Sequence, residues 1–239
     1  MKKVFLIFFL IPLLGIGQTK TVLTTNRVFA KNDKAAQFEK ALASHAQKYH
    51  TGDVSWRVWT IESGPNFGGY LLVEGPNTWD ALDGRGDISA AHTADWNNNV
   101  MPFIEGRGEG GYYVYQPDLS TVQLTDYAEK ATINHMTANP GKIVNVQELI
   151  RKMKKVWEAD KESVAVYMVS NSGEPGYIVV TRLKDGLKEL SVDYRKPLAA
   201  RFDEVYGTGS FDAWLKDYAD AVKFRWTELI FFNAGLSSK

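Results

Sequence analysis

Apolar and polar positions alternate with a period of two through Val54, Trp56 and Val58, with Trp59 and Ile61 on the opposite face. The run ends at the turn Ser63-Gly64-Pro65-Asn66-Phe67-Gly68-Gly69 and resumes as Tyr70-Leu71-Leu72-Val73. The same design returns at Val164 to Val169, the turn Asn171-Ser172-Gly173-Glu174-Pro175-Gly176, and Tyr177-Ile178-Val179-Val180. Strand-period alternation either side of a Gly/Pro turn predicts a β-hairpin, and its recurrence predicts an internal duplication. Tyr70 and Tyr177 lie 107 positions apart, and Asn26 and Asn134 lie 108 apart, so two separate strands give nearly one offset.

The flanking segments complete each half. Val22 to Phe29 reads as a strand, Asn32-Asp33 as an N-cap, and Phe38, Ala41, Leu42, His45, Ala46 and Tyr49 recur at helical spacing. After the hairpin, Pro76-Asn77 opens a helical turn with Trp79 and Leu82. Ser89 caps a helix through Ala94 that Pro102 limits, and Tyr112 to Tyr115 forms a strand before Pro117. The second half predicts a strand at Ala131 to Thr137, a helix from Val146 to Trp157, and the hairpin. Helical segments follow near Leu183 to Leu190 and Pro197 to Tyr206; the latter has no counterpart in the first half. A helix capped by Ser210 and a strand from Phe224 to Phe232 end the chain. Each half therefore reads βαββαβ, the split order of ferredoxin-like units.

Trp56 and Val58 on one face, with Trp59 and Ile61 on the other, leave neither side of the sheet for water. Helices are expected to cover one face and a second sheet the other. The expected fold class is α+β, two ferredoxin-like repeats packed sheet to sheet as a pseudo-dimeric α/β barrel. Its segments are residues 18–118, a linker 119–127, and 128–239. On this element order and hairpin repeat, the chain resembles the dimeric α/β-barrel superfamily, which includes antibiotic-biosynthesis-monooxygenase-like, EthD-like and NIPSNAP-like proteins, here as a tandem fusion. The resemblance implies a cleft between sheet and helices in each half. Relatives use that cleft for cofactor-free oxygenation of aromatic substrates, haem degradation or small-molecule binding. No catalytic signature of any of its families is present.

Residues 1–17 carry Lys2 and Lys3, an apolar run from Val4 to Leu14, and Gly15 and Gly17. These are the parts of a signal peptide cleaved after Gly17, which predicts a secreted or periplasmic product without a stable membrane anchor. The absence of cysteine excludes disulfides, thiolate metal sites and thiol nucleophiles. Loss of Lys2 and Lys3 takes the net charge from +0 to −2, and no basic stripe is present, so nucleic acid is not an expected partner. A monomer containing its own pseudo-dimer is expected.

Polar residues within apolar strands need hydrogen-bond partners, which makes them candidates either for holding register or for facing a ligand. Asn26 and Asn134 occupy matching positions, with Arg27 and His135 beside them. His92 and Trp96, at i and i+4, meet on one helix face. Together with Trp56 and Trp59 these form the candidate ligand-binding set; some haem-degrading relatives use an Asn, Trp and His set, which Asn26 or Asn134, Trp56 or Trp59, and His92 match by residue type but not by spacing. No catalytic residue, cofactor or metal is assigned. His45 and His50, five apart, are off the one-turn spacing at which two imidazoles on a helix share an ion. Gly106-Arg107-Gly108-Glu109-Gly110-Gly111 matches the letters of the dinucleotide fingerprint but precedes a strand, and is expected to be a flexible connection. Arg85-Gly86-Asp87 reads as a turn.

The 7 Trp, 11 Tyr and 12 Phe are enough to pack a cysteine-free core and to line a pocket for flat apolar molecules. Three functions follow from these observations. The first is binding of a small apolar or aromatic ligand; the second, implied by the resemblance alone, is cofactor-independent oxygenation; the third is a structural or partner-binding role with filled clefts.

Overall fold

The computed structural model describes residues 19–239; the proposed signal segment lies outside them. The chain runs β1 (Val22–Ala30), α1 (Ala35–Tyr49), β2 (Trp56–Ser63), β3 (Tyr70–Asn77), α2 (Trp79–Arg85), α3 (Ala90–Asp95) and β4 (Ile104–Tyr115). It continues through β5 (Lys130–Ala138), α4 (Ile143–Ala159), β6 (Val164–Ser170), β7 (Gly176–Arg182), α5 (Leu198–Tyr206), α6 (Ser210–Ala221) and β8 (Val222–Phe232). The fold is α+β, and the strands close an antiparallel barrel in the order β1-β3-β2-β8-β5-β7-β6-β4. Within it, the order β4-β1-β3-β2 of the first half matches β8-β5-β7-β6 of the second. The halves join edge to edge, through β2 with β8 and β4 with β6, so the two faces expected to press together form one continuous wall around a lumen.

Both hairpins form, β2 with β3 and β6 with β7. Alternation then divides each strand between two environments. Trp59, Ile61, Leu71 and Val73 point into the lumen with Ala165, Tyr167 and Ile178. Trp56, Val58, Tyr70 and Leu72 point outward against Phe38, Leu42 and Ala46 of α1. In the second half Val164, Val166, Tyr177 and Val179 meet Val146, Leu149, Ile150 and Met153 of α4. Phe38 and Leu42 are fully buried, and each such side chain contributes roughly 1.5–3 kcal/mol. The connection between halves crosses one end of the barrel and inserts Leu124 into the lumen cluster.

Three local expectations are revised. The glycine-rich stretch is not a flexible connection but part of β4, with Gly108, Gly110 and Gly111 registered against Val28, Asn26 and Thr25 of β1. The glycines serve close approach there: a Cβ on Gly110 would meet Asn26 Oδ1 at 3.0 Å, and one on Gly111 the Ser172 side chain at 3.0 Å. Asn32 and Asp33 do not cap α1, which starts after Lys34 with no side-chain cap. Asp203, rather than Ser210, caps α6, its carboxylate accepting from the Gly209 and Phe211 amides at 2.9 Å. Among the described residues no helix is long and apolar enough to cross a membrane.

Candidate functional site

Three cavities follow from this architecture. The barrel lumen is the most apolar, bounded by Leu23, Trp59, Leu71 and Ile230, yet holds only about 100 Å³. Outside the barrel, the first half has a cleft of about 430 Å³ between the strands and α2–α3, and the second half one of about 370 Å³ against α4 and α6. Ligand sites usually occupy ~300–1,000 Å³, so the lumen is a packed core and the clefts are of ligand size.

The first cleft is walled by Val28, Trp56, Leu72 and Trp96, with Asn26, Arg27, His50, Arg85, His92 and Glu109 as its polar groups. Trp56 is held from several sides. Its ring stacks on His50 at 3.4 Å between centroids, and its indole N–H donates to Glu74 Oε2 at 3.1 Å. The C-terminal tail fixes its backbone, since the Trp56 amide donates to Ser238 Oγ and the Ser238 amide to the Trp56 carbonyl. Glu74, buried, also accepts from Arg85 Nη2 at 2.9 Å. Trp96 meets Trp56 edge to face at 5.9 Å.

Three of the four histidines of the chain converge behind this wall: one ring nitrogen from each of His45, His50 and His92 lies within 4.8 Å of the others. His45 comes from α1. His50 follows the last residue of that helix, where φ −102° and ψ 80° take the chain out of helical geometry, so helical spacing no longer governs where its ring points. His92 is placed by the Ser89 hydroxyl, which accepts its backbone N–H at 3.1 Å and caps α3.

The hydrogen bonds define the ring tautomers. His45 Nδ1 lies 2.7 Å from Asp95 Oδ2, His50 Nδ1 3.0 Å from the Val54 carbonyl, and His92 Nδ1 3.1 Å from Asp87 Oδ1. The hydrogen bond from His45 holds the Asp95 carboxyl below its usual range, and that from the Thr93 hydroxyl does the same for Asp87. Ionised carboxylates and a carbonyl only accept, so each Nδ1 is the donor in its contact, and in the neutral rings of His45 and His50 the lone pair is left on Nε2. Burial pushes His45 and His50 below the ordinary imidazole value, against the opposing pull of Asp95 and Glu74, so both stay neutral near pH 7. His50 Nε2 and His92 Nε2 face each other at 3.3 Å, and His45 Nε2 is buried with no hydrogen-bond partner among the described residues.

The structure separates the eight candidate residues. Asn26, Trp56, His92 and Trp96 gather in the first cleft. Asn134 lines the second, accepting from Arg225 Nε at 2.8 Å. Trp59 faces the lumen against Phe232. Arg27 and His135 meet across the lumen, with Arg27 ion-paired to Glu228 and His135 3.0 Å from the same carboxylate and stacked on Trp226. Sequence reasoning missed His45, His50, Glu74, Arg85, Asp87 and Asp95. The turn containing Arg85 and Asp87 links α2 to α3, and its two charges support Glu74 and His92.

No protein-family profile matches the chain, and no curated protein matches it in sequence. Solved structures do resemble it. An anthrone oxidase-like protein superposes with a TM-score of 0.58 at 10% identity, over 90% of this chain and 92% of the other. A monooxygenase candidate from Fusobacterium nucleatum gives 0.54 at 12% identity over 88% and 91%. A mutant chlorite dismutase from Candidatus Nitrospira defluvii gives 0.51 at 9% over 91% and 93%. The chain has the fold of these dimeric α/β-barrel proteins, as its element order suggested.

Proposed function

We propose that this is an exported protein, built from two tandem ferredoxin-like units, that binds a small flat aromatic molecule in the cleft of its first half. The observation that carries this reading is the pairing of an aromatic wall, Trp56 with Trp96, with a few inward polar groups, in a cavity of about 430 Å³. Offset or edge-on aromatic contacts add about 0.5–1.5 kcal/mol each beyond the area they bury, which favours a planar guest. The second cleft, of similar size, offers Asn134 and Arg225 but no histidine. The leader at residues 1–17 supports export.

Titration with 1-naphthol or anthrone, read by intrinsic tryptophan fluorescence and thermal shift, tests the reading. Saturable quenching weakened at least tenfold by Trp96→Ala is expected. No response to any planar compound would overturn it. A second reading, cofactor-independent oxygenation, is favoured by imidazole lone pairs beside the cleft that can accept a phenolic proton. Oxygen uptake with anthrone that is lost in His92→Gln would move the assignment from binding to catalysis.

A further inference from the structure

We infer that His45, His50 and His92 form a mononuclear site for a divalent transition metal, zinc foremost, at the inner end of the first cleft. The inference deepens the proposed binding function and rests on it only for what meets the metal from the cleft side.

Two of the ring nitrogens, His50 Nε2 and His92 Nε2, lie 3.3 Å apart. His50 Nε2 faces His92 Nε2 across that gap, where a single positive centre can be held by both nitrogens. A shared proton is one such centre. It would leave His45 Nε2, buried and without a partner among the described residues, unsatisfied. A metal ion satisfies all three nitrogens together. Tetrahedral zinc with Zn–N bonds of about 2.0–2.1 Å separates its ligand nitrogens by about 3.3 Å, the spacing His50 and His92 already have. His45 needs an approach of at most about 1.5 Å to join them, since the three ligand atoms all lie within 4.8 Å of one another.

The surroundings match those of a metal centre. Each ring donates its other N–H to a fixed acceptor: Asp95 for His45, the Val54 carbonyl for His50 and Asp87 for His92. Such contacts fix tautomer and ring orientation at metal-binding histidines and make the ligating nitrogen more basic. An all-imidazole donor set suits zinc, copper, nickel and iron over magnesium or calcium. Nitrogens this close grip a single ion and leave no room between them for a flat macrocycle. His50 and His92 line the cleft, whereas His45 is fully buried, so the remaining coordination position opens toward the aromatic wall. The expected guest is therefore a planar aromatic bearing an oxygen donor such as a phenolate or carboxylate.

The full chain, stripped with a chelator and titrated with cobalt(II) and then zinc, gives the test. One equivalent of cobalt with the intense visible bands of a low-coordinate nitrogen site, displaced by zinc, is expected. His92→Ala should weaken binding at least 100-fold, and Asp87→Asn, which keeps all three rings, about 10–100-fold. His135→Gln, remote from the cluster, should bind as the parent chain does. Absence of a cobalt spectrum in the parent chain, or an affinity in His92→Ala and Asp87→Asn unchanged from that of the parent chain, would overturn the site. If His92→Ala does not fold, Asp87→Asn decides alone. Naphthol titrated into both the metal-free and the zinc-loaded protein separates the two proposals: metal binding with naphthol binding to neither form overturns the cleft reading and leaves the metal site standing, and naphthol binding without metal binding overturns the metal site alone.

Discussion

Replacing Glu228 with leucine removes the one carboxylate that two lumen side chains share. Its side chain is wholly buried, that of Arg27 is 4% exposed and that of His135 12%. The nearest alternative acid for Arg27, Glu109, is 4.0 Å away and 71% exposed, so water screens it. Glu228→Leu thus leaves a buried guanidinium without a counter-charge and a buried imidazole N–H without an acceptor. Breaking a buried pair in this way costs about 3–5 kcal/mol. For a chain of this size the melting temperature falls about 2–4 °C per kcal/mol, so a drop of roughly 6–20 °C is expected. The companion Arg27→Met should be costly alone, yet the double variant should recover most of the loss, because an apolar pair of similar volume removes the unpaired charge. Urea unfolding of the four proteins measures this coupling. Costs that simply add, or a Glu228→Leu penalty below about 1 kcal/mol, would refute the account of the lumen.

The same cluster sets a pH dependence. Burial pushes the Glu228 carboxyl up, but the hydrogen bond from His135 and the charge of Arg27 outweigh it and hold it below its ordinary value; burial lowers His135 despite Glu228. Both folded values are depressed, so their stabilisation is complete above the unfolded values, about 6.5 for His and 4.3 for Glu, and is lost as pH falls through the folded ones. Melting temperature should decline from pH 7 toward pH 4, less steeply between pH 7 and 5 in His135→Gln; an unchanged profile in that variant would count against this. Phe202→Ala, removing a fully packed ring between α4 and α6, should cost about 3–5 kcal/mol by urea unfolding, and a cost under 1 would mean that α5 is not part of the core. Gly110→Val adds a side chain at the first cleft and forces the Asn26 side chain to give way; naphthol affinity should fall tenfold or more by fluorescence, with a cost of roughly 1–3 kcal/mol in urea unfolding.

The barrel was legible because strand alternation is a local signal. Trp56 and Val58 against Trp59 and Ile61 require two covered faces, and the hairpin spacing repeats that requirement in the second half. Closure through β2–β8 and β4–β6 depends on edge pairing between strands distant in the chain, which no periodicity encodes. The site was legible in part. Asn26, Trp56, His92 and Trp96 were found as polar or aromatic residues on predicted elements. Arg27 and His135 went to the lumen because a one-residue step along a strand reverses the face. Helical spacing argues against His45 and His50 sharing an ion, but it does not apply where α1 ends: His50 lies past the helix, and the third ring comes from α3, forty-two positions further on. The glycine-rich stretch looked flexible because glycine is permissive, whereas here its missing side chain lets β4 lie close to β1.

The central claim is that the first half carries the ligand site. A crystal structure of the protein grown with 1-naphthol tests it most directly. The ring is expected against Trp56 and Trp96, with its oxygen toward His50 and His92. Naphthol found only in the barrel lumen, or only in the second cleft beside Asn134 and Arg225, would contradict it.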